Sequence, residues 1–410
     1  MAHNTMNSLY LKRVFIDSFR SINKLDVEFE KGLNILIGRN GVGKSNLLYI
    51  LKDALRRNGL PQDTHVKALS LRMKGWDSDN LFDVDYVRKN VNAEDLEINP
   101  THKYFFSRNY KLNGHDLVVN RRGKFEVNTE KEDGEVVLRP GHSYYNYALR
   151  DKGLSFPRSV FLEYNIPSSL EFIDNPGKVV FDFDTLEINE GASLSFLVDF
   201  FWNLENKLFD LIENQKAVQA DSEKIVEISP EFIKSNFVFD EVFVEVLSKY
   251  TPIKNIRFNP NINIYFDDNE IIIENIKIDY FVNEAWLPWS HLSDGTKRLF
   301  YIIAQIQNMS DDIILLEEPE LGIHPHQFHL LMEFLKERSN YNQIIISTHS
   351  PLTLNHLDID ELDRIQIVSY DKGTGTQIRR LTVDEQQKAK QYIEEVGYLS
   401  DYWVYSDLEE

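Results

Sequence analysis

The pattern G-x-x-x-x-G-K-S follows directly on the apolar segment 35–37, Ile-Leu-Ile, and a helix-forming stretch comes after it. Gly38, Gly41 and Gly43 allow the backbone to turn tightly enough to aim several N–H groups at one anion. A helix beginning at Lys44 adds the positive end of its dipole to the same point. Strand, loop and helix in this order predict an α/β protein with a phosphate-binding loop. The alternative is a glycine-rich turn that binds nothing.

Two side chains of this loop have predicted roles. Lys44 is expected to reach the terminal phosphates of a nucleotide, and the Ser45 hydroxyl is expected to ligate Mg²⁺. The predicted nucleotide-binding residues are the loop and the start of the helix: Gly38, Arg39, Asn40, Gly41, Val42, Gly43, Lys44, Ser45 and Asn46.

Composition excludes several classes of protein. With 410 residues, 42% of them hydrophobic, the chain is long enough for two or three ordered units. The absence of cysteine excludes disulfides, thiolate catalysis and Cys-ligated zinc, and fits a cytoplasmic protein. No secretory signal or membrane span is recognisable, so we expect a soluble protein with no membrane partner. A formal net charge of −20 argues against a broad DNA-coating surface.

Alternating apolar residues predict strands before and after this loop. Leu9 to Phe29 has the pattern of two strands, and a meander is predicted from about Lys103. The meander turns carry Asn113-Gly114 and Arg122-Gly123, which are hairpin signals. The segment 121–124 is basic; a solvated hairpin tip and a contact to a nucleic-acid backbone both remain open. The helix after the phosphate loop is predicted over 47–57.

Apolar residues at three- and four-residue steps predict a long amphipathic helix from Ala192 to Val218. These positions are Leu194, Leu197, Val198, Phe201, Leu204, Leu208 and Leu211. A second helical stretch is predicted from Pro230 to Lys249. Both are too short for an extended coiled-coil arm. We therefore predict an N-terminal part over 1–185, a helical insertion over 186–250 and a C-terminal part over 251–410.

Two acids end another apolar segment far along the chain. Asp312 to Leu316 reads as a buried strand, and Glu317 and Glu318 follow it. Because the carboxyl ends of parallel strands share one edge of a sheet, we expect both carboxylates beside the phosphate loop. Glu317 is expected to orient the water shell of Mg²⁺, and Glu318 to polarise an attacking water. An accidental acidic strand end is the alternative.

Two further segments flank this acidic strand. The segment 292–296, Leu-Ser-Asp-Gly-Thr, opens a helix predicted over 298–307. Its Ser293, Asp294 and Gly295 offer a hydroxyl and backbone N–H groups to an anion, although alone the segment reads as an ordinary N-cap. After the acidic strand, another buried strand ends at His349, whose imidazole is expected to hydrogen-bond a terminal phosphate.

Taken in order, the four segments resemble an ABC-type ATPase head of the kind found in SMC, RecF and OLD proteins. Residues 38–45 match Walker A, 292–296 the signature, Glu317 and Glu318 Walker B, and His349 the switch histidine. The resemblance covers about residues 9–50 and 289–351. It implies a P-loop NTPase fold with a mixed central sheet, an antiparallel β lobe and a helical insertion. It also implies ATP and Mg²⁺ as cofactors.

The residues of two motifs are more similar to those of the OLD-like AAA/ABC ATPases of bacterial phage-defence operons than to those of transporter ATPases. These motifs are the signature and the sequence Glu-Pro-Glu-Leu-Gly-Ile-His-Pro that continues Walker B. Members of that group, such as PtuA of Septu and AriA of PARIS, are paired with a separate nuclease or toxin. In such heads the signature of one subunit completes the ATP site of another. The resemblance therefore implies a homo-oligomer, at least a dimer, with His324 in the dimer-crossing loop.

Three positions depart from the family pattern. Glu317 stands where most relatives have aspartate, and Asp294 places a negative charge in the signature. The usual Q-loop glutamine is not identifiable, because no glutamine lies between Gln62 and Gln215. Slow or regulated turnover is the hypothesis that follows from these departures.

The resemblance favours a Mg²⁺-dependent ATPase whose assembly controls a separate effector, a nuclease or toxin, in defence against phage. One alternative is a RecF- or SMC-like repair ATPase that binds DNA. The other is a pseudo-ATPase scaffold in which ATP only stabilises the oligomer. We expect no nuclease domain in the chain, since about sixty residues follow His349. The D-x-D spelling of Asp358 and Asp360 reads as a pair of solvated acids.

Overall fold

The computed structural model describes residues 7–56, 59–61, 63–90, 104–121, 124–127, 149, 153–163, 165–167, 170, 172–173, 175–182, 185, 187–189, 194–218, 228–267, 270–406 and 408. The chain divides into two compact units. The first unit comprises Met1–Tyr164, Ser310–Glu320 and Met332–Glu410, and the second comprises Asn165–Met309 and Leu321–Leu331. The predicted helical insertion, 186–250, lies within the second unit, which also takes in the residues up to Met309. The three-part division itself stays a prediction.

The strands are β1 (Asn7–Phe19), β2 (Ile22–Glu28), β3 (Leu33–Ile37), β4 (Ala68–Gly75), β5 (Leu81–Asn90), β6 (Tyr104–Leu112), β7 (His115–Arg121), β8 (Lys124–Val127), β9 (Leu154–Ser155), β10 (Ser159–Leu162), β11 (Gly177–Asp182), β12 (Glu187–Asn189), β13 (Asn255–Phe258), β14 (Asn263–Phe266), β15 (Glu270–Ile276), β16 (Ile278–Val282), β17 (Ala285–Pro288), β18 (Ile313–Glu317), β19 (Gln343–Thr348), β20 (Ile365–Asp371) and β21 (Gly375–Arg380). The α-helices are α1 (Lys44–Ala54), α2 (Ser195–Val218), α3 (Pro230–Asn236), α4 (Glu241–Tyr250), α5 (Asp294–Ile306), α6 (Pro325–Arg338), α7 (Val383–Glu395) and α8 (Leu399–Tyr405).

One large mixed sheet forms the first unit. Its strand order is β10-β18-β19-β3-β20-β21-β2-β1-β4-β5-β6-β7-β8, with β9 beside β1. The strands from β10 to β20 in this order pair in parallel, and the path from β20 to β8 is antiparallel. β3, β18 and β19 are buried along their whole length, as expected for parallel strands covered on both faces. The predicted strands around the phosphate loop are confirmed.

The predicted turn at Asn113-Gly114 joins β6 to β7. Both residues have positive φ, 51° and 84°, as a two-residue hairpin turn of type I′ requires. The other predicted turn, Arg122-Gly123, lies outside the described residues, and so does the centre of the basic segment 121–124.

The edge strand β10 is tied to β18 at its start. The Arg158 guanidinium donates to Asp312 at 2.8 Å, and the Arg158 N–H donates to the same carboxylate at 3.0 Å. Burial raises the pKa of Asp312, and Arg158 opposes that rise. This ion pair fixes the parallel register in which Leu162 lies beside Leu316.

The second unit packs α2 and α5 together with two small sheets, β12-β11-β15-β14 and β13-β16-β17. Most predicted apolar positions of α2 are buried: Leu194, Leu197, Phe201, Leu204 and Leu208. Val198 was predicted wrongly, because it is 42% exposed, and Ile212 is more deeply buried than Leu211. The ring of Phe196 contacts those of Phe243 and Phe300, at 4.7 and 5.8 Å between centroids.

The second predicted helical stretch is not continuous. It divides into α3 and α4, separated by residues 237–240. The side chain of Asp240 accepts a hydrogen bond from the Val242 N–H at 2.7 Å and so caps a new helix. Another boundary also differs: α5 begins at Asp294, earlier than predicted, with Ser293 as its N-cap.

Candidate functional site

The phosphate loop lies between β3 and α1, as predicted. β3 ends at Ile37, α1 begins at Lys44, and Gly43 precedes the helix with φ 104° and ψ 13°. A Cβ on Gly43 would lie 2.1 Å from Thr376 Oγ1, and a Cβ on Gly38 would lie 2.2 Å from the Val368 carbonyl oxygen. Both glycines are therefore required by close approach, and Gly43 also by its backbone conformation.

Lys44 is buried and folds back over the loop that precedes it. Its ammonium donates to the carbonyl oxygens of Gly38 at 2.7 Å and Arg39 at 2.9 Å. These two contacts hold the positive charge of Lys44 beside the loop, where we expect the phosphates of a nucleotide. The side chains of Arg39 and Asn40 are exposed, and Ser45 is half-buried at the first turn of α1.

A chain of hydrogen bonds joins the phosphate loop to residues of β21 and of the turn after β1. The hydroxyl of Thr376, on β21, donates to the Val42 carbonyl at 2.8 Å and lies 2.7 Å from Ser21 Oγ. The Asn46 amide donates to Ser21 Oγ at 2.7 Å, and its oxygen accepts from Arg20 at 3.2 Å. The Asn46 side chain is thus engaged in supporting the loop. This set of residues, Arg20, Ser21, Asn46 and Thr376, is called the loop support below.

The predicted acids and histidine lie at the same sheet edge as the phosphate loop. In the parallel register, Ile37 lies beside Thr348, and Glu317 lies beside Ser347. The residues that follow each strand, Gly38, Glu318 and His349, therefore emerge at one edge. Sequence reasoning placed Lys44, Glu317, Glu318 and His349 together, and the first unit brings them to this edge.

Glu318 has a strained backbone. Its φ is 42°, in the left-handed region that non-glycine residues rarely adopt at a cost of about 1–2 kcal/mol. The Glu318 N–H donates to the Ser347 carbonyl at 2.9 Å, which fixes this turn. Glu317 is buried at the end of β18, whereas the Glu318 side chain is 22% exposed. The two adjacent acids thus occupy different environments.

Sequence reasoning missed Glu320 as a site residue. One of its carboxylate oxygens accepts from Thr348 Oγ1 at 2.6 Å and from the His349 N–H at 3.1 Å. The same oxygen lies 3.3 Å from His349 Nδ1, whereas Glu318 Oε1 is 3.9 Å from that atom. The third acid of the run Glu-Glu-Pro-Glu was the available signal.

Glu163 is a second residue that the sequence did not single out. It is the first residue after β10, so it follows the strand beside Glu317 at the same sheet edge. Lys52 of α1 donates to its carboxylate at 3.2 Å. The residue at this position of the sheet edge is therefore an acid, Glu163. No glutamine was identifiable for the Q-loop in this part of the sequence.

The signature residues belong to the second unit. Ser293 Oγ accepts from the Thr296 N–H at 3.2 Å, so this hydroxyl caps α5. The Asp294 side chain is fully exposed, with Lys297 at 3.7 Å. A Cβ on Gly295 would lie 2.8 Å from the Gly322 carbonyl, which explains the glycine there. The helix N-terminus is exposed at Asp294, as an anion site requires.

The residues of the first unit fit a nucleotide with Mg²⁺. Ser45 and Glu317 would supply the oxygen ligands that Mg²⁺ prefers, and the glycine-rich loop, exposed at Gly41, would offer backbone N–H groups to the phosphates. Within the described part of the chain, the buried atoms Ser347 Oγ and Glu320 Oε2 have no hydrogen-bond partner. The described residues contain no cluster of three or more metal-ligating side chains. Mg²⁺ is commonly held in this way, by one or two side chains together with phosphates and water.

Asp358 and Asp360 do not form a metal site in the described residues. Asp358 pairs with Lys336 at 3.0 Å, and its N–H donates to Glu361 at 2.9 Å. Both side chains are exposed.

The phosphate loop, the acids and the histidine at one edge of a mixed sheet define an ATP-binding P-loop ATPase of the AAA/ABC class. The chain belongs to the family described as "AAA domain, putative AbiEii toxin, Type IV TA system", whose model matches residues 33–355.

Sequence relatives include RecF proteins. The chain is 30% identical over 131 residues to the DNA replication and repair protein RecF of Caldanaerobacter subterraneus subsp. tengcongensis, which covers 32% of this chain and 30% of that protein. It is 48% identical over 40 residues to RecF of Streptococcus suis, covering 10% and 11%. An uncharacterized protein of Methanocaldococcus jannaschii is 35% identical over 78 residues, covering 19% and 20%. The matches thus span less than a third of each relative's length.

A solved structure with a similar fold is the Smc head domain of Pyrococcus furiosus with an extended coiled coil, bound to the C-terminal domain of ScpA. It is 16% identical, covers 94% of this chain and 100% of that chain, and gives a TM-score of 0.51. The predicted α/β class and ABC-type head are confirmed. The OLD-like assignment stays a prediction. Among the described residues, none of the helices has the length and apolarity needed to cross a membrane.

Proposed function

We propose that this protein hydrolyses ATP with Mg²⁺ and uses nucleotide-dependent assembly to control a separate effector. The observation that carries the proposal is the shared sheet edge, where the phosphate loop, Glu317, Glu318 and His349 emerge from adjacent parallel strands. A phosphate loop alone binds a nucleotide. An acid and a histidine at the same edge add the groups that hydrolysis needs.

Each side chain at this edge has a separate proposed role in ATP hydrolysis. Lys44 would exchange its two carbonyl contacts for the terminal phosphates. Ser45 and Glu317 would hold Mg²⁺, whose positive charge would offset the negative charge of the phosphates. Glu318 accepts a proton from the attacking water. His349 hydrogen-bonds the terminal phosphate. The strained backbone of Glu318 supports this role, since such conformations cluster at functional sites.

We further propose that each ATP site is completed by a second copy of the chain. Ser293, Asp294 and Gly295 at the exposed start of α5 would supply the signature to the partner's nucleotide. A helix N-terminus with free N–H groups suits a terminal phosphate. The negative charge of Asp294 would oppose that contact and slow turnover.

Mixing two inactive variants tests the shared site. Lys44→Ala removes the phosphate contact, and Ser293→Arg blocks the signature, so each pure variant is expected to lose ATP hydrolysis. In an equimolar mixture, heterodimers contain one intact site, and about a quarter of the wild-type activity should return if subunits exchange freely. A mixture as inactive as either variant, although affinity-tagged Lys44→Ala chains co-purify with untagged Ser293→Arg chains, would contradict a shared site.

The family description names a putative toxin of a type IV toxin–antitoxin system, which supports a link between this chain and such a system. We propose that the effector is a separate nuclease or toxin and that the setting is defence against phage. The test is to express the gene with its neighbouring reading frame and to count phage plaques. Protection that disappears with Lys44→Ala supports the proposal, and equal plaque counts in all strains contradict it.

DNA repair is the second candidate, favoured by the RecF relatives. It predicts ATP turnover stimulated by DNA. The net charge of −20 does not favour broad DNA binding, so any such contact would need a local basic patch. Adding duplex and single-stranded DNA to the hydrolysis assay separates the two roles. A wild-type protein that binds ATP but never hydrolyses it, with or without DNA, would indicate the scaffold alternative suggested by Glu317 and Asp294.

A further inference from the structure

Glu320 makes an unusual set of contacts for an acid in a turn. Its side chain is only 10% exposed, and its Oε1 atom lies within 3.3 Å of three groups on the strand end that carries the switch histidine. These groups are Thr348 Oγ1, the His349 N–H and His349 Nδ1. One carboxylate oxygen thus accepts a hydrogen bond from the backbone of His349 and lies 3.3 Å from its ring.

Glu320, and not the neighbouring Glu318, is the acid nearer to this ring. The distance from His349 Nδ1 is 3.3 Å to Glu320 and 3.9 Å to Glu318. An N–H to oxygen hydrogen bond requires about 2.7–3.2 Å, so 3.3 Å is close to a bond and 3.9 Å is not. Glu318 is therefore left available to face a water.

The second carboxylate oxygen of Glu320 gives a further reason to expect an interaction with the His349 ring. Oε2 is buried and has no hydrogen-bond partner among the described residues. A buried carboxylate with few donors attracts the remaining ones strongly, because charge-assisted hydrogen bonds gain strength where water is excluded. The imidazole Nδ1–H is the donor within reach.

We propose that Glu320 is a positioning residue for His349. By accepting the Nδ1–H, Glu320 sets the ring rotation and the tautomer, as a carboxylate does wherever a histidine must present its other nitrogen. Nε2 lies on the opposite side of the ring and therefore points away from Glu320. The inference rests on the proposed function, in which a ring that carries both protons donates its Nδ1–H to Glu320 and its Nε2–H to the terminal phosphate.

A purely structural role is the competing explanation. In that case Glu320 only ties the turn after β18 to β19 through the Thr348 hydroxyl, at 2.6 Å. Thr348→Val removes this hydroxyl, together with its contacts to the Ser350 N–H and Thr353 Oγ1, but keeps the Glu320 carboxylate and the His349 ring, so it is the matched control. Glu320→Gln keeps the size of the side chain and removes the charge that favours the Nδ1–H.

The first measurement uses the protein without nucleotide and does not depend on hydrolysis. Imidazole ¹⁵N spectra recorded near pH 8.5, where histidines are generally neutral, report which ring nitrogen carries the proton. His349→Gln assigns the signal. We expect the Nδ1–H tautomer of His349 in the wild type and in Thr348→Val, and its loss in Glu320→Gln. A wild-type signal dominated by the Nε2–H tautomer would overturn the inference, whether or not the protein hydrolyses ATP.

The second measurement is a double-mutant cycle on ATP hydrolysis. We expect Glu320→Gln to lower kcat about tenfold while KM changes little, since residues that orient a functional histidine typically matter by 10- to 100-fold. In a His349→Ala background, Glu320→Gln should cause no further loss. If the decreases in kcat caused by Glu320→Gln and His349→Ala multiply in the double variant, the positioning role would be overturned. An unchanged kcat in Glu320→Gln despite a changed tautomer would overturn it as well. Absence of hydrolysis in the wild type would instead refute the proposed function and leave the tautomer result to decide whether Glu320 orients the ring.

Discussion

Replacing Thr376 by valine removes one hydroxyl from the loop support and keeps the side-chain shape. Thr376 is fully buried, and its Oγ1 donates to the Val42 carbonyl at 2.8 Å and lies 2.7 Å from Ser21 Oγ. A buried hydrogen bond contributes about 1 kcal/mol net, so losing two contacts costs up to about 2 kcal/mol. Ser21 keeps its bond from Asn46, which limits the loss.

We expect part of this cost to appear as weaker nucleotide binding, because Val42 belongs to the phosphate loop. A loss of about 1.4 kcal/mol corresponds to a tenfold higher Kd for ATP. The assay is a titration with a fluorescent ATP analogue at saturating Mg²⁺, with urea unfolding of the same samples. Thr376→Ser, which keeps the hydroxyl, is the control and should bind like the wild type. An unchanged Kd in Thr376→Val would refute the reasoning that this hydroxyl holds the loop.

Three further predictions concern the loop, a half-buried ion pair and a helix cap. Gly38→Ala should abolish nucleotide binding and lower the free energy of unfolding by about 2 kcal/mol or more, since its Cβ would meet the Val368 carbonyl at 2.2 Å; unaltered ATP titrations would contradict this. Burial works to raise the pKa of Glu30, but Lys12 and Arg380 hold it below the ordinary value. Glu30→Gln should therefore cost about 1 kcal/mol at pH 7, and the difference from the wild type in urea unfolding should shrink as the pH falls below about 4.5; a difference that persists unchanged in acid would refute the ion pair's contribution. Asp240→Ala should lower the free energy of unfolding by about 1 kcal/mol through loss of the α4 cap, measured in the same way, and no change would show that the cap is dispensable.

The parts of the fold that sequence reasoning predicted correctly depend on local patterns. β3, β18 and β19 are mostly apolar because parallel strands are buried on both faces. The phosphate loop was recognisable because its glycines must adopt special geometry within a few residues. Since parallel strands end at a common edge, the meeting of Glu317 and His349 with the loop also followed from the sequence.

The contacts that sequence reasoning missed join residues distant in the chain. Thr376 reaches Val42 across 334 positions, and no periodicity marks such a pair. Glu163 became visible only through the pairing of β10 with β18. Two signals were present and overlooked: Asp240 before a helix is a capping signal, and Glu320 is a third acid in a run of four residues.

The central claim is that two chains close around ATP and that Glu318 then activates water. Sedimentation velocity of Glu318→Gln with saturating ATP and Mg²⁺, combined with a phosphate-release assay on the same sample, tests it most directly. We predict at least about a hundredfold slower hydrolysis, as expected for loss of a general base, together with a dimer that forms only when ATP is present. Hydrolysis at the wild-type rate, or a monomer at saturating ATP, would contradict the account.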